Sequence, residues 1–152
     1  MIYIRYMVLL TCFTIIFFGC TPKGTYFVRA DDKMDYLLET ENGVITGDVN
    51  NTRIIDEINR IANEDVKAPE DYGFIILTPT ENINGIQYIQ MAKNIGSNEY
   101  TVEIRIGDNE NFNHYQYLSN SKEDVTSIFL DFTNSKKLPD LKRWEDISDQ
   151  YR

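Results

Sequence analysis

Between Tyr100 and Ile106 the chain alternates. Tyr100, Val102, Ile104 and Ile106 are apolar, and Thr101, Glu103 and Arg105 between them are polar. A period of two predicts a strand whose first set faces a core and whose second set faces solvent or a partner. Gly73 to Thr78, Ile86 to Ala92 and Phe112 to Leu118 share strand composition. Their separators, Pro79 to Gly85, Lys93 to Glu99 and Gly107 to Asn111, are short and rich in turn residues. Parallel neighbours need a long crossover, so these links predict an antiparallel meander. Phe74-Ile75-Ile76-Leu77 is apolar on both faces, which predicts a central or covered strand.

Two segments carry a helical period instead. Ile54, Ile55, Ile58, Ile61 and Ala62 fall on one face of a 3.6-residue repeat, with Asp56, Glu57, Asn59, Arg60 and Asn63 opposite and Thr52 as the expected cap. A second helix is expected from Ser121 to Phe132, with Val125, Ile128, Phe129 and Phe132 inward and Ser121 with Asp124 resembling a capping box. Ahead of the first helix, Tyr36 to Thr40 and Val44 to Thr46 flank Glu41-Asn42-Gly43 and read as a hairpin. Thr25 to Arg29 has strand composition, and Glu64 to Asp71 reads as an acidic loop. After Leu138-Pro139, the apolar Leu141, Trp144 and Ile147 predict a tail folded back on the sheet. The fold class expected is α+β: an antiparallel β-meander with two amphipathic helices packed on one face, and the other face partly open.

The first residues have another logic. Arg5 is the only charge before Lys23, and an apolar stretch from Tyr6 to Phe18 follows it, ending at Phe17-Phe18-Gly19-Cys20. This order of a positive start, an apolar run and a small residue is that of a signal peptide. The run is shorter than the roughly 20 apolar residues of a spanning helix. The final four residues resemble the lipobox of bacterial lipoproteins, with Phe17 where leucine is usual. The resemblance implies cleavage after Gly19 and lipidation of Cys20. It divides the chain into a signal peptide at 1–19, a lipidated tether at 20–25 and one domain at 26–152. The protein would then sit in the cell envelope, outside the cytoplasm, held to the membrane by its N-terminal lipid. An uncleaved anchor and a secreted, unlipidated protein are the alternatives.

Cysteine usage changes what chemistry remains. Cys12 and Cys20 are the only two thiols among 152 residues. Cys12 would leave with the signal peptide and Cys20 would be consumed by lipid. The processed domain would have no disulfide, thiolate metal site or cysteine nucleophile. Net charge is −9, and −10 once Arg5 is removed. An acidic surface of this kind repels nucleic acid and anionic lipid, so no nucleic-acid partner is expected.

Candidate chemistry is sparse. His114 is the only histidine, on a strand face with Phe112, Gln116 and Leu118, and no nucleophile motif accompanies it. A hydrogen-bonded structural histidine is the expected role, and a small hydrolase using His114 is the remote one. One imidazole and no thiol make a transition-metal site improbable, and no cofactor is implied. Asp108-Asn109-Glu110-Asn111 offers oxygen ligands but lacks the length of a calcium-binding loop, so a hairpin turn is expected there. The remaining feature is a surface. Glu103, Arg105, Tyr115 and Tyr117 lie on neighbouring strands and are expected to be exposed together, near His114, as a face for a protein partner. Tyrosine numbers 10 in the chain, although strands favour it anyway.

From Tyr72 onward the order of Phe74-Ile75-Ile76-Leu77, Tyr88-Ile89-Gln90, Tyr100 to Arg105, His114-Tyr115, a helix with Val125, Phe129 and Phe132, and a late Trp144 resembles small immunity-type proteins of bacterial toxin systems. The resemblance implies an inhibitor that binds a cognate toxin and catalyses nothing. It carries over Gln90, Glu103, Arg105, His114 and Trp144 as shared positions, for the fold or for the partner. Proteins of that type are mostly cytosolic, so the signal segment is a departure, and an envelope-acting toxin would fit the address. A lipid-anchored module for envelope maintenance or ligand binding is the alternative.

Overall fold

A computed structural model describes residues 35–45, 49–64 and 73–152. The expected signal segment, the tether, the strand at Thr25–Arg29 and all but Glu64 of the acidic loop lie outside the described residues. In chain order the elements are β1 (Tyr36–Thr40), β2 (Gly43–Ile45), α1 (Asn51–Asn63), β3 (Phe74–Pro79), β4 (Ile86–Lys93), β5 (Tyr100–Gly107), β6 (Phe112–Ser119), α2 (Lys122–Ser135) and β7 (Glu145–Asp146). Short 3-10 turns at Leu141–Arg143 and Ser148–Gln150 flank β7. The strands form one sheet in the order β2-β1-β3-β4-β5-β6-β7, and every neighbouring pair is antiparallel. The fold is therefore α+β, with β3 to β6 as the meander and β3 inside the sheet.

Turn chemistry sets the links. Asn84 and Gly85 both have positive φ, at 53° and 75°, between the bridged Ile83 and Ile86. This is the mirror-image turn that matches the twist of a two-stranded ribbon. Gly107 has φ of 123° and closes β5 so tightly that a Cβ there would collide with the Asn111 carbonyl. Beyond it, Asp108 Oδ1 accepts the backbone N–H groups of Glu110 and Asn111 at 2.8 and 2.6 Å. Those two bonds hold the Asp108 carboxyl below its ordinary pKa range. The Asp108 carboxylate is thus used in a hairpin turn.

Helix starts follow the short polar residues, with one shift from expectation. Asn50, not Thr52, caps α1, its side chain accepting from Arg53 N at 3.0 Å. Ser121 caps α2 by accepting from Asp124 N at 3.1 Å. Only this half of a capping box forms. The Asp124 carboxylate instead accepts Tyr117 Oη at 2.7 Å and Ser119 Oγ at 2.9 Å, which ties the helix to β6.

Both helices lie on one face. Ile54, Ile58 and Ile61 of α1 and Val125, Phe129 and Phe132 of α2 are buried with Leu38, Ile75, Leu77, Ile89, Met91, Val102 and Ile104 of the sheet. In β4 the apolar residues Ile86, Ile89 and Met91 break strict alternation. A bulge between Ile86 and Tyr88 explains this, since one extra residue returns Ile86 to the core side.

The tail straddles the β6 edge. Trp144 is half-buried and stacks on Tyr117, ring centroids 5.5 Å apart, on the helix side. Tyr117 Oη also accepts Arg143 Nη2 at 2.7 Å. Past β7 the chain turns to the opposite face, where Tyr151 stacks on His114 at 4.4 Å. Full burial of a tryptophan would make truncation cost about 3–5 kcal/mol. Half-burial reduces this, so Trp144→Ala should lose about 2 kcal/mol by denaturant titration. A loss under about 0.5 kcal/mol would mean the ring only rests on the surface.

Candidate functional site

The sheet face opposite α1 and α2 has two unlike halves. Over β4 to β6 it is polar and closed. Register places Gln90 opposite Glu103, Glu103 opposite Gln116, Tyr88 opposite Arg105, and Arg105 opposite His114. Glu103 and His114 are 1% and 0% exposed. The Glu103 carboxylate collects three partners: Gln90 Nε2 donates to Oε2 at 2.7 Å, Gln116 Nε2 donates to Oε1 at 3.3 Å, and His114 Nε2 lies 3.1 Å from Oε2. A carboxylate only accepts, so Nε2 carries the shared proton. A buried carboxylate is tolerable when donors surround it in this way.

The tail completes the enclosure. The His114 backbone N–H donates to Ser148 Oγ at 2.8 Å, and its carbonyl accepts Ile147 N at 2.8 Å. Ser148 donates its N–H and hydroxyl to Asp146, which holds that carboxyl below its ordinary range. His114 Nδ1 has no hydrogen-bond partner among the described residues. The Arg105 guanidinium lies over the Phe112 ring, 3.8 Å from its centroid. Burial, and after it the Glu103 charge, push the Tyr88 phenol well above its ordinary pKa. No serine, threonine or tyrosine hydroxyl is hydrogen-bonded to the His114 ring among the described residues.

This geometry corrects the expected shared surface. Glu103 is buried, not exposed. Tyr115 and Tyr117 do not stand beside Glu103 and Arg105. They pair with Ile104 and Val102, which puts them on the opposite, helix-covered side. Tyr117 is buried and Tyr115 packs against the core. Of the five positions carried over by resemblance, the structure gathers Gln90, Glu103 and His114 into one network with Arg105 beside it, and leaves Trp144 across the sheet.

The other half, over β2, β1 and β3, is open and was not picked out from the sequence. Val44, Glu39 and Ile76 form one row across the three strands, with Leu37 beside Glu39 on β1. Val44 is 54% exposed and Leu37 40%, while Ile76 is half-buried. At the far side of the face Leu118 is 44% exposed. Partial burial raises the Glu39 carboxyl above its ordinary pKa. Ionised Glu39 therefore weighs against the fold at neutral pH, and the penalty vanishes at low pH, where folded and unfolded chains both hold the proton. Glu39→Gln should raise the melting temperature near pH 7 and leave it unchanged near about pH 3. A fall near pH 7 would mean that the charge is compensated.

Among the described residues no group of three or more His, Cys, Asp or Glu side chains is placed to hold a metal ion, and no helix is long and apolar enough to cross a membrane. No family model matches the chain, and neither curated proteins nor solved structures include one significantly similar to it.

Proposed function

We propose that this chain is a lipid-anchored, extracytoplasmic protein-binding domain of the immunity or inhibitor type, which neutralises a cognate bacterial toxin and catalyses nothing itself. The address rests on Phe17-Phe18-Gly19-Cys20 after a short apolar run. The observation that carries the binding role is the sheet face opposite α1 and α2, which leaves the neighbouring Leu37 and Val44 in water while α1 and α2 cover the other side. Exposed apolar side chains grouped on one face mark contact surfaces in small soluble domains. The non-catalytic reading is supported by His114, whose ring is enclosed against Glu103 and Tyr151 with no nucleophile hydrogen-bonded to it among the described residues.

Metabolic labelling with an alkynyl fatty acid, followed by purification from detergent-solubilised envelopes, tests both parts. Wild type should carry label and the Cys20→Ala variant should carry none. The purified wild type should hold a stoichiometric protein whose expression alone is toxic and whose toxicity co-expression relieves. Label retained on Cys20→Ala would overturn the anchor. A partner without toxicity, or no stoichiometric partner, would overturn the inhibitor role.

A further inference from the structure

The open half-face has a chemistry specific enough to describe what covers it. Glu39 sits between Val44 and Ile76 in the cross-strand row, with Leu37 beside it. It makes no hydrogen bond or ion pair with any described residue, although it is half-buried. Its face-mates on these strands, Leu37, Val44, Phe74, Ile76 and Thr78, include no cation. A carboxylate partly withdrawn from water without a donor costs free energy, and a cationic group arriving with apolar flanks would recover it.

We propose that Leu37, Glu39, Val44 and Ile76 form the docking site for a partner-protein segment that carries a lysine or arginine flanked by aliphatic side chains. The cation meets Glu39, and the aliphatic groups cover Leu37, Val44 and Ile76. Charge complementarity selects this occupant. A second copy of the chain would set carboxylate against carboxylate, and the net charge of −9 opposes self-association and anionic lipid alike. The inference rests on the protein-binding reading above and places it on β2, β1 and β3, away from Glu103 and Arg105.

The test uses the full chain in the cell that makes it, with a photo-crosslinking amino acid at Val44, at Leu37 or, as a control on the same face, at Leu118. Val44 and Leu37 should each give a discrete adduct with another protein, and the crosslinked peptide should hold a lysine or arginine beside aliphatic residues. Glu39→Lys should reduce the Val44 adduct at least tenfold, and Glu39→Gln should reduce it less. Melting temperatures of both variants show whether loss of fold is the cause, and Glu39→Gln, which removes charge without reversing it, decides the matter if Glu39→Lys unfolds. Adducts from Leu118 alone would overturn this patch and leave protein binding standing. No adduct from any of the three would overturn both. An adduct with a second copy, with the chain's own residues 21–34, or with a yield indifferent to both substitutions would overturn the proposal.

Discussion

Glu103→Ala is expected to cost about 3–5 kcal/mol of stability, because it removes the one acceptor on which Gln90, Gln116 and His114 converge. All three donors then face a cavity, and the imidazole loses the group that holds its tautomer. The expected fall in melting temperature is about 10–20 °C for a domain of this size. Glu103→Gln should cost far less, about 1–2 kcal/mol, since the side-chain shape is kept and the neighbouring amides can turn to present their oxygens. Arg105→Ala is the contrast. Its guanidinium stacks on Phe112 at a partly buried position opposite Tyr88, so about 1–2 kcal/mol is at stake. Two residues of the same strand face thus separate into a buried keystone and a smaller, partly buried contact. Thermal melts of the three variants decide this. A Glu103→Ala protein that melted like wild type and failed only in partner binding would return Glu103 to an exposed interface.

The alternation at Tyr100 to Ile106 carried the strand and its inward set, and the short links on either side carried the antiparallel neighbours. The same alternation pointed Glu103 outward, because period two distinguishes the faces without saying what covers the second. Its cover comes from Gln90, Gln116, His114 and the Ser148–Tyr151 segment, which are far apart in sequence. Register was the missing quantity for the tyrosines. The turn at Asp108–Asn111 pairs Gly107 with Phe112, so odd-numbered β5 residues meet even-numbered β6 residues. Glu103 is thereby placed with His114 and Gln116, and Tyr115 and Tyr117 go to the core. A turn one residue longer would have reversed that choice. Trp144 and Ile147 were legible as apolar anchors in a charged tail. That the tail crosses from one face to the other was not, since it depends on a two-residue β7 at the sheet edge. Glu39 had no signal at all, because its isolation is a property of its neighbours on β2 and β3.

Lys93 offers the second large effect, at a position that reads in sequence as the start of a loop. It ends β4 on the core side and is 7% exposed. Its Nζ donates to the carbonyls of Ala62 at 2.9 Å and Glu64 at 2.6 Å. The Ala62 carbonyl belongs to the last turn of α1, has no partner within the helix and bears the negative end of its dipole, and the Glu64 carbonyl is that of the residue at which the chain leaves the helix. A lysine from the sheet therefore performs the task of a C-cap, where no glycine follows the helix and Glu64 continues in extended conformation. Lys93→Met keeps the stem and removes the donors. It should cost about 2–4 kcal/mol, since two carbonyls lose their charged donor while their surroundings stay dry. The damage should be local as well as global: hydrogen exchange should quicken first in the last turn of α1, ahead of the β4–β5 ladder. The competing account is that the aliphatic stem packs and the ammonium contributes little. On that account Lys93→Met would be neutral within about 0.5 kcal/mol and the α1 amides would exchange at wild-type rates. Denaturant titration and exchange on the same variant separate the two, and a neutral result in both would remove the cap.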